Sequence, residues 1–171
     1  MNKLARTDQS RQIVESRLAE IRLELVDSKT VPEIKQIYDI ARVLSEAAKR
    51  AKLSFKTVNE VQFIRLEAEI KLGGEIIRLK DDGKITHAHK WNLVLLGKED
   101  KMKLDDYGMS WNLSSRSQAL AKAQENVIAE AKAILEAGKE LSVLALFEEQ
   151  RGLDKRAEIP PFLGHIGDSQ L

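Results

Sequence analysis

The chain has 171 residues, with 28 Lys and Arg against 27 Asp and Glu, 43% hydrophobic and 5% aromatic residues, three prolines, nine glycines and no cysteine. This balance suits amphipathic helices around a core better than a disordered chain and argues against a turn-rich all-β domain, and the absence of cysteine excludes a disulfide framework and thiolate metal sites. Met1 to Arg11 lacks the apolar core of a signal peptide and no uncharged apolar run approaches the roughly 20 residues of a bilayer span, so a cytoplasmic protein with no membrane partner is expected.

In chain order, the first predicted helix runs from about Asp8 to Val26. Asp8 and Ser10 are its candidate caps. Val14, Leu18, Ile21 and Leu25 recur at steps of four, three and four, an a/d-type stripe. It covers fewer than three heptads, so a homodimer through this helix and packing within the chain both stay open. Asp27-Ser28-Lys29 breaks the pattern. Thr30-Val31-Pro32-Glu33 then has the form of a capping box, with proline in the first turn, where no amide donor is needed. The second helix places Ile34, Ile37, Ala41, Leu44, Ala48 and Ala51 on one face. Ser54 is the next cap. The third helix, Phe55 to about Lys80, carries Val58, Val61, Ile64 or Arg65, Ala68, Leu72, Ile76 and Leu79. Gly73-Gly74 inside it costs about 1 kcal/mol per glycine relative to alanine; close contact with another helix and a kink are the two explanations.

Asp81-Asp82-Gly83 ends that helix. From Lys84 to Lys98 the period is lost; Trp91 and Leu93 to Leu96 form an apolar cluster that suits a short helix or a packed linker. A long helix from Glu125 to Glu149 is predicted beyond, with Val127 or Ile128, Ala131, Leu135, Leu141, Leu144 and Phe147 buried and a break near Gly138. The tail after Gly152 is polar and ends through Ile159-Pro160-Pro161-Phe162-Leu163-Gly164, which reads as flexible. With the N-terminal helices, this tail is the expected place for a protein partner.

The stretch with functional content is Asp100 to Ala123. Asp100 to Tyr107 can form a short helix, Gly108 can supply the left-handed backbone that ends it, Met109 can pack between helices, and Ser110 can cap the helix that follows. Leu104, Tyr107 and Leu120 fall where a helix-turn-helix makes its internal contacts. On this reading the helix from Trp111 enters the major groove with Trp111, Asn112, Ser115 and Arg116 outward, joined by Ser114 or Gln118. Arg suits guanine, Asn and Gln suit adenine, and Ser suits base or phosphate. Lys98, Lys101, Lys103 and Lys122 flank the unit and suit phosphates. From Lys49 to Lys103 there are 13 Lys and Arg against 8 Asp and Glu, which places the expected electropositive face there. A dimer would set two recognition helices about 34 Å apart on a two-fold site. Spacing alone leaves a plain packing unit as open as DNA binding.

Gly108-Met109-Ser110-Trp111-Asn112-Leu113-Ser114-Ser115-Arg116-Ser117-Gln118 resembles the G-[IV]-S-x-x-x-S-S-R-x-Q signature of a family of small helical proteins from phages, prophages and plasmids. Val31 to Ala51 resembles that family's amphipathic helix, and Leu66 to Ile77 its "aE-x-kLGEll" segment, with Gly74 an extra glycine. Ser117 stands where members often have a larger residue. The similarity covers roughly Thr30 to Leu146. It implies a helix-turn-helix and a DNA-associated role on a mobile element, and no defined reaction.

Other signals are weaker. His87-Ala88-His89 lacks a third metal ligand, and Asp81-Asp82 and Asp105-Asp106 read as capping or solvated pairs. There is no G-x-S-x-G, phosphate loop or G-x-G-x-x-G, so neither an enzyme nor a cofactor is expected. The sequence therefore predicts an all-α protein: an N-terminal antiparallel bundle or coiled coil over 1–81, a linker over 82–99, a helix-turn-helix with a long trailing helix over 100–150, and a tail over 151–171. The expected function is binding of double-stranded DNA, as a transcriptional regulator or a replication or partition accessory factor. The alternative is a helical protein-interaction module without nucleic acid.

Overall fold

The capping box closes as its spacing predicts. The Thr30 hydroxyl accepts from the Glu33 amide at 3.5 Å, and the Glu33 carboxylate accepts from the Thr30 amide at 3.0 Å and the Lys29 amide at 2.9 Å. The Lys29 and Thr30 amides, in that order, hold the Glu33 carboxyl below its ordinary range, as donors to the charged form do. This box opens the second of six α-helices in a computed structural model that describes residues 3–85 and 104–157. They are α1 (Lys3–Asp27), α2 (Val31–Arg50), α3 (Phe55–Asp81), α4 (Trp111–Lys122), α5 (Gln124–Glu136) and α6 (Val143–Ala157), with one 3-10 turn over Leu104–Tyr107. The described chain is all-helical, and no described helix is long and apolar enough to cross a membrane.

The first three helices follow their stripes. Val14, Leu18, Ile21 and Leu25 of α1 are all buried, against Ile37, Tyr38 and Ala41 of α2 and Val61, Ile64 and Ala68 of α3. The stripe of α1 thus packs within the chain. This helix begins at Lys3, ahead of the predicted caps, so Asp8 and Ser10 lie inside it. The turn between α2 and α3 is four residues long and bends at Lys52 (φ 54). Its shortness makes the two helices antiparallel, and the start of α2 (Val31, Ile34) meets the end of α3 (Leu72, Ile76, Leu79). The lysine of Lys71 ties α3 to the end of α1 through the Leu25 and Val26 carbonyls.

The later helices complete the same core. Leu104 and Met109 join Val31, Ile34, Leu72 and Ile76 in one cluster, while Leu120, Val127, Ala131, Leu141 and Leu146 join Leu66 and Ile70 in another. The expected boundary between a bundle ending at 81 and a unit starting at 100 therefore does not divide the core: α3 belongs to both sides of it. The long helix expected from Glu125 to Glu149 is two helices. The chain breaks at Gly138 (φ +66), and the turn is held by buried Asn59, which donates to the Lys139 carbonyl at 2.8 Å and accepts from the Leu141 amide at 2.9 Å. Helix α6 runs on to Ala157, past the start expected for the tail at 151.

The α5–α6 hairpin carries a pH-dependent contact. Glu130 of α5 is pushed up to about 7, first by burial and then by a hydrogen bond and charge from Glu149 of α6. A folded-state pKa above the unfolded value, about 4.3 for Glu, means the native state holds the extra proton. The contribution is complete below about pH 4.3 and is lost as pH rises through 7. Glu130→Gln is expected to keep it at every pH. The Tm difference between the variant and the wild type should widen from pH 5 to pH 8, and a constant difference would refute the shared proton.

Candidate functional site

The corner before α4 is built as the spacing suggests. Gly108 takes φ +64, a conformation an L side chain rarely adopts. Buried Met109 packs into the cluster with Ile76 and Leu79, and the Ser110 hydroxyl caps α4 by accepting from the Leu113 amide at 3.2 Å. Upstream, the element seen is one 3-10 turn, Leu104–Tyr107, and residues 100–103 lie outside the described residues. What fixes α4 is α3. The two run antiparallel at very close approach: a Cβ placed on Gly73 would lie 1.9 Å from the Ser117 carbonyl oxygen. Gly73 is thus explained by contact with a neighbouring helix. Gly74, one residue on, has nothing within 4 Å of such a carbon and faces out.

This approach decides which side chains of α4 point inward. Ser114 and Ser117 are buried, small enough to let α4 lie down on α3. Arg116, expected to read a base, is turned into the protein. Its guanidinium forms a two-pronged pair with Glu69, with Nη2 at 3.1 Å from Oε2 and Nε on Oε1, and Nη2 also donates to the Tyr38 hydroxyl at 3.2 Å. The Glu69 side chain is 0% exposed and that of Arg116 20%. Burial holds the Glu69 carboxyl above the ordinary range, and the Arg116 hydrogen bond and charge only partly offset it. For Arg116, burial opposes the charge but the Glu69 hydrogen bond and charge overcome it, so its pKa is raised. Arg65 brings a second guanidinium to the same place, 3.3 Å from the Tyr38 hydroxyl and 5.4 Å from the ring centroid. Arg116 and Ser114 are therefore not on the outward face, because α4 spends that face on α3.

Three of the proposed contact residues of α4 do face outward: Trp111, 67% exposed, Asn112 and Ser115, followed along the same side by Lys122. Gln118 is half-buried and has a fixed role. Its amide nitrogen donates to the Ser114 carbonyl at 2.8 Å and the Ser114 hydroxyl at 2.9 Å, while its carbonyl oxygen accepts from the Lys80 ammonium. Lys80, at the end of α3, was not among the expected site residues. It brings its charge to a groove of about 520 Å³ along α4, lined otherwise by Trp111, Ser114, Ser115, Gln118, Ala119 and Lys122 of that helix and by Ala123. No carboxylate lines this groove. Burial lowers the Lys80 pKa, the nearby Lys122 charge lowers it further, and Asp81 works against both. The signal for Lys80 was the run of lysines around Asp81, but only the fold places it beside α4.

The other expected phosphate contacts, Lys98, Lys101 and Lys103, lie outside the described residues, as do His87, His89, Trp91 and the tail from Ile159. Among the described residues, no three His, Cys, Asp or Glu side chains gather as a metal set. Compared with protein-family models, with curated proteins and with solved structures, the chain matches none of them.

Proposed function

We propose that the chain binds DNA through the outward face of α4, as a transcriptional regulator or a replication or partition accessory factor of a mobile element. The observation that carries this reading is one stripe of side chains. Trp111, Asn112, Ser115 and Lys122 share the solvent side of a capped helix, beside Lys80, with no carboxylate lining the groove along them. Asn112 suits an adenine edge, Ser115 suits a base or a phosphate, and the lysines suit phosphates. The central residues of the stripe, Ser115 and Ala119, are small, so a nucleic acid can approach the helix closely. The resemblance of Gly108 to Gln118 to a phage and plasmid signature supports the same reading. Within that signature the Ser114, Arg116 and Gln118 side chains serve the helix's seat rather than the ligand. The role is one of binding, with no reaction assigned.

The runner-up, a protein-interaction module, draws on a different surface. Ile13, Leu23 and Val26 of α1 and Phe55 of α3 are exposed apolar side chains, none of them lining the α4 groove. The readings separate in a mobility-shift assay with random-sequence DNA, offered in single- and double-stranded form over a range of salt. Retention should fall linearly with log salt as counterions are released. Lys122→Ala should weaken all sequences alike and reduce the slope by about 1. Asn112→Ala should relax sequence preference by about 1–3 kcal/mol. If neither form is retained at about 10⁻⁴ M protein, the weak end of non-specific binding, the DNA reading fails.

A further inference from the structure

We infer that the face formed by α1, α3 and α5 docks an acidic amphipathic helix of a partner protein, laid over Phe63 between Arg22 and Lys132. The inference is independent of the DNA reading, because none of its residues belongs to the outward stripe of α4.

The groove draws on three helices. Two concavities, of about 300 and 640 Å³, each take side chains from α1, α3 and α5, and they share Arg22 and Phe63. They therefore run into one another. The floor is α3, from Phe55 and Lys56 at one end to Ile70 and Lys71 at the other. Leu25 and Val26 of α1 stand on one side, and Ile128 and Leu135 of α5 on the other. The surface between them is mainly apolar. Val26, 77% exposed, and Phe55, 66% exposed, lie in different halves of it. Large apolar side chains left in water along one groove, with charged residues around them, mark an interaction site rather than scattered surface residues.

Shape and length select a helix. A bilayer presents a flat face and does not enter a groove with a wall on each side, whereas a helix laid lengthwise presents a ridge that does. Lys56 and Lys71 are fifteen residues apart, about 22 Å along the axis at 1.5 Å per residue. The floor thus takes about four turns of helix, with apolar anchors at i, i+3, i+4 and i+7.

Charge selects the sign. The lining carries Arg22, Lys56 and Lys71 against Glu60 and Glu67. Lys71 is engaged by the Leu25 and Val26 carbonyls. Glu67 lies half-buried on the floor. Burial raises its pKa, and the charges of Arg22 on α1 and Lys132 on α5 work against that rise. A helix that covers Glu67 need bring no cation to it, because Arg22 and Lys132 already act on it from both sides. Among the described residues Arg22, Lys56 and Lys132 stand in no ion pair. What the groove lacks is negative charge along its edges, and an occupant with flanking carboxylates supplies it. The α1 helix of a second copy brings no such surplus, since Lys3–Asp27 holds five basic and five acidic residues.

The test titrates the full chain into a fluorescently labelled synthetic helix of about 15 residues, with leucines at the spacing above, glutamates flanking them and alanine elsewhere. Two further peptides carry the same composition in scattered order, or lysine in place of glutamate. The acidic helix is expected to raise its anisotropy saturably and to bind at least about tenfold tighter than either comparison peptide. Val26→Glu and Arg22→Glu, both at exposed positions, should each weaken it by about tenfold or more, as central anchors and facing charges do. Leu144→Glu is the control, since Leu144 is exposed on α6 and lines neither part of the groove. It should leave the affinity unchanged. Asn112→Ala should bind the peptide as wild type does, and Val26→Glu should keep any DNA sequence preference, so the two surfaces stand or fall separately. The proposal is overturned if the acidic helix does not bind, if the scattered or lysine peptide binds as well, or if Leu144→Glu acts like Val26→Glu. Sedimentation of the chain alone covers the remaining occupant: a dimer that Val26→Glu splits would assign the face to a second copy and overturn the partner helix.

Discussion

Gly73→Ala is expected to destabilise the protein by about 3 kcal/mol or more, at or beyond the upper end of the usual cost of overpacking a core. The added carbon would lie 1.9 Å from the Ser117 carbonyl oxygen, 2.3 Å from its carbonyl carbon and 2.9 Å from the Gln118 nitrogen. All three atoms are backbone, so no rotamer change relieves the overlap and α4 has to move off α3. Gly74 is the control. It lies in the same helix with nothing within 4 Å of the equivalent carbon, so Gly74→Ala should gain up to about 1 kcal/mol from helix propensity and a less flexible unfolded chain. Urea denaturation of the two variants, one residue apart, should move the midpoint in opposite directions. Equal shifts would refute the close approach of the two helices. Gly73→Ala should also weaken whatever the groove beside Trp111 binds, because Lys80 of α3 and the outer side of α4 line it together.

The second large effect is at Glu69 and Arg116. Removing one partner of a buried ion pair costs about 3–5 kcal/mol, because the other is left charged and poorly solvated. The two halves are not equivalent here. Arg116 keeps a fifth of its side chain in water and a bond to the Tyr38 hydroxyl, whereas Glu69 has no exposed surface. Glu69→Leu should therefore cost the lower end of that range and Arg116→Met the upper end. In Arg116→Met the carboxyl loses the partner that partly offsets its burial, so its folded pKa rises further above the unfolded value. The variant should then be most stable below about pH 4.3 and lose stability, relative to wild type, as pH rises through the folded pKa. The double variant Glu69→Leu/Arg116→Met should recover most of the loss, as paired apolar replacements of buried ion pairs often do. A double-mutant cycle from chemical denaturation measures this. Additive single effects would mean that the pair is not energetically coupled. Arg116→Met, studied where it remains folded, should leave DNA sequence preference unchanged, the reverse of what a base-reading arginine would give.

The contrast between Gly73 and Gly74 shows why the site was only half visible. The third helix carries two buried stripes. Val58, Val61, Ile64 or Arg65, Ala68, Leu72, Ile76 and Leu79 follow the one legible in the sequence, which faces α1 and α2 and shares Ile76 with the other. Gln62, Leu66, Glu69, Gly73 and Ile76 form a second at steps of four, three, four and three, facing α4 and its neighbours, and all five are buried. A glutamate and a glycine inside an apolar-spaced stripe hide it from a hydrophobicity pattern. They are the two residues that seat α4. A glutamate at such a position signals a cationic partner, but nothing in the local sequence says that the partner stands 47 residues on.

The amino-acid order alone determined the helices, the Thr30, Ser54 and Ser110 caps, the breaks at Gly108 and Gly138, and the all-helical class. Each of these is set by backbone hydrogen bonds and φ preferences acting over four or five residues. Only the tertiary structure decided which face of α4 meets solvent. An isolated helix with serines on several sides has no strong preference for its rotation. The close contact at Gly73 and the buried charge of Glu69 supply one, turning Arg116 inward and leaving Trp111, Asn112, Ser115 and Lys122 to the outside.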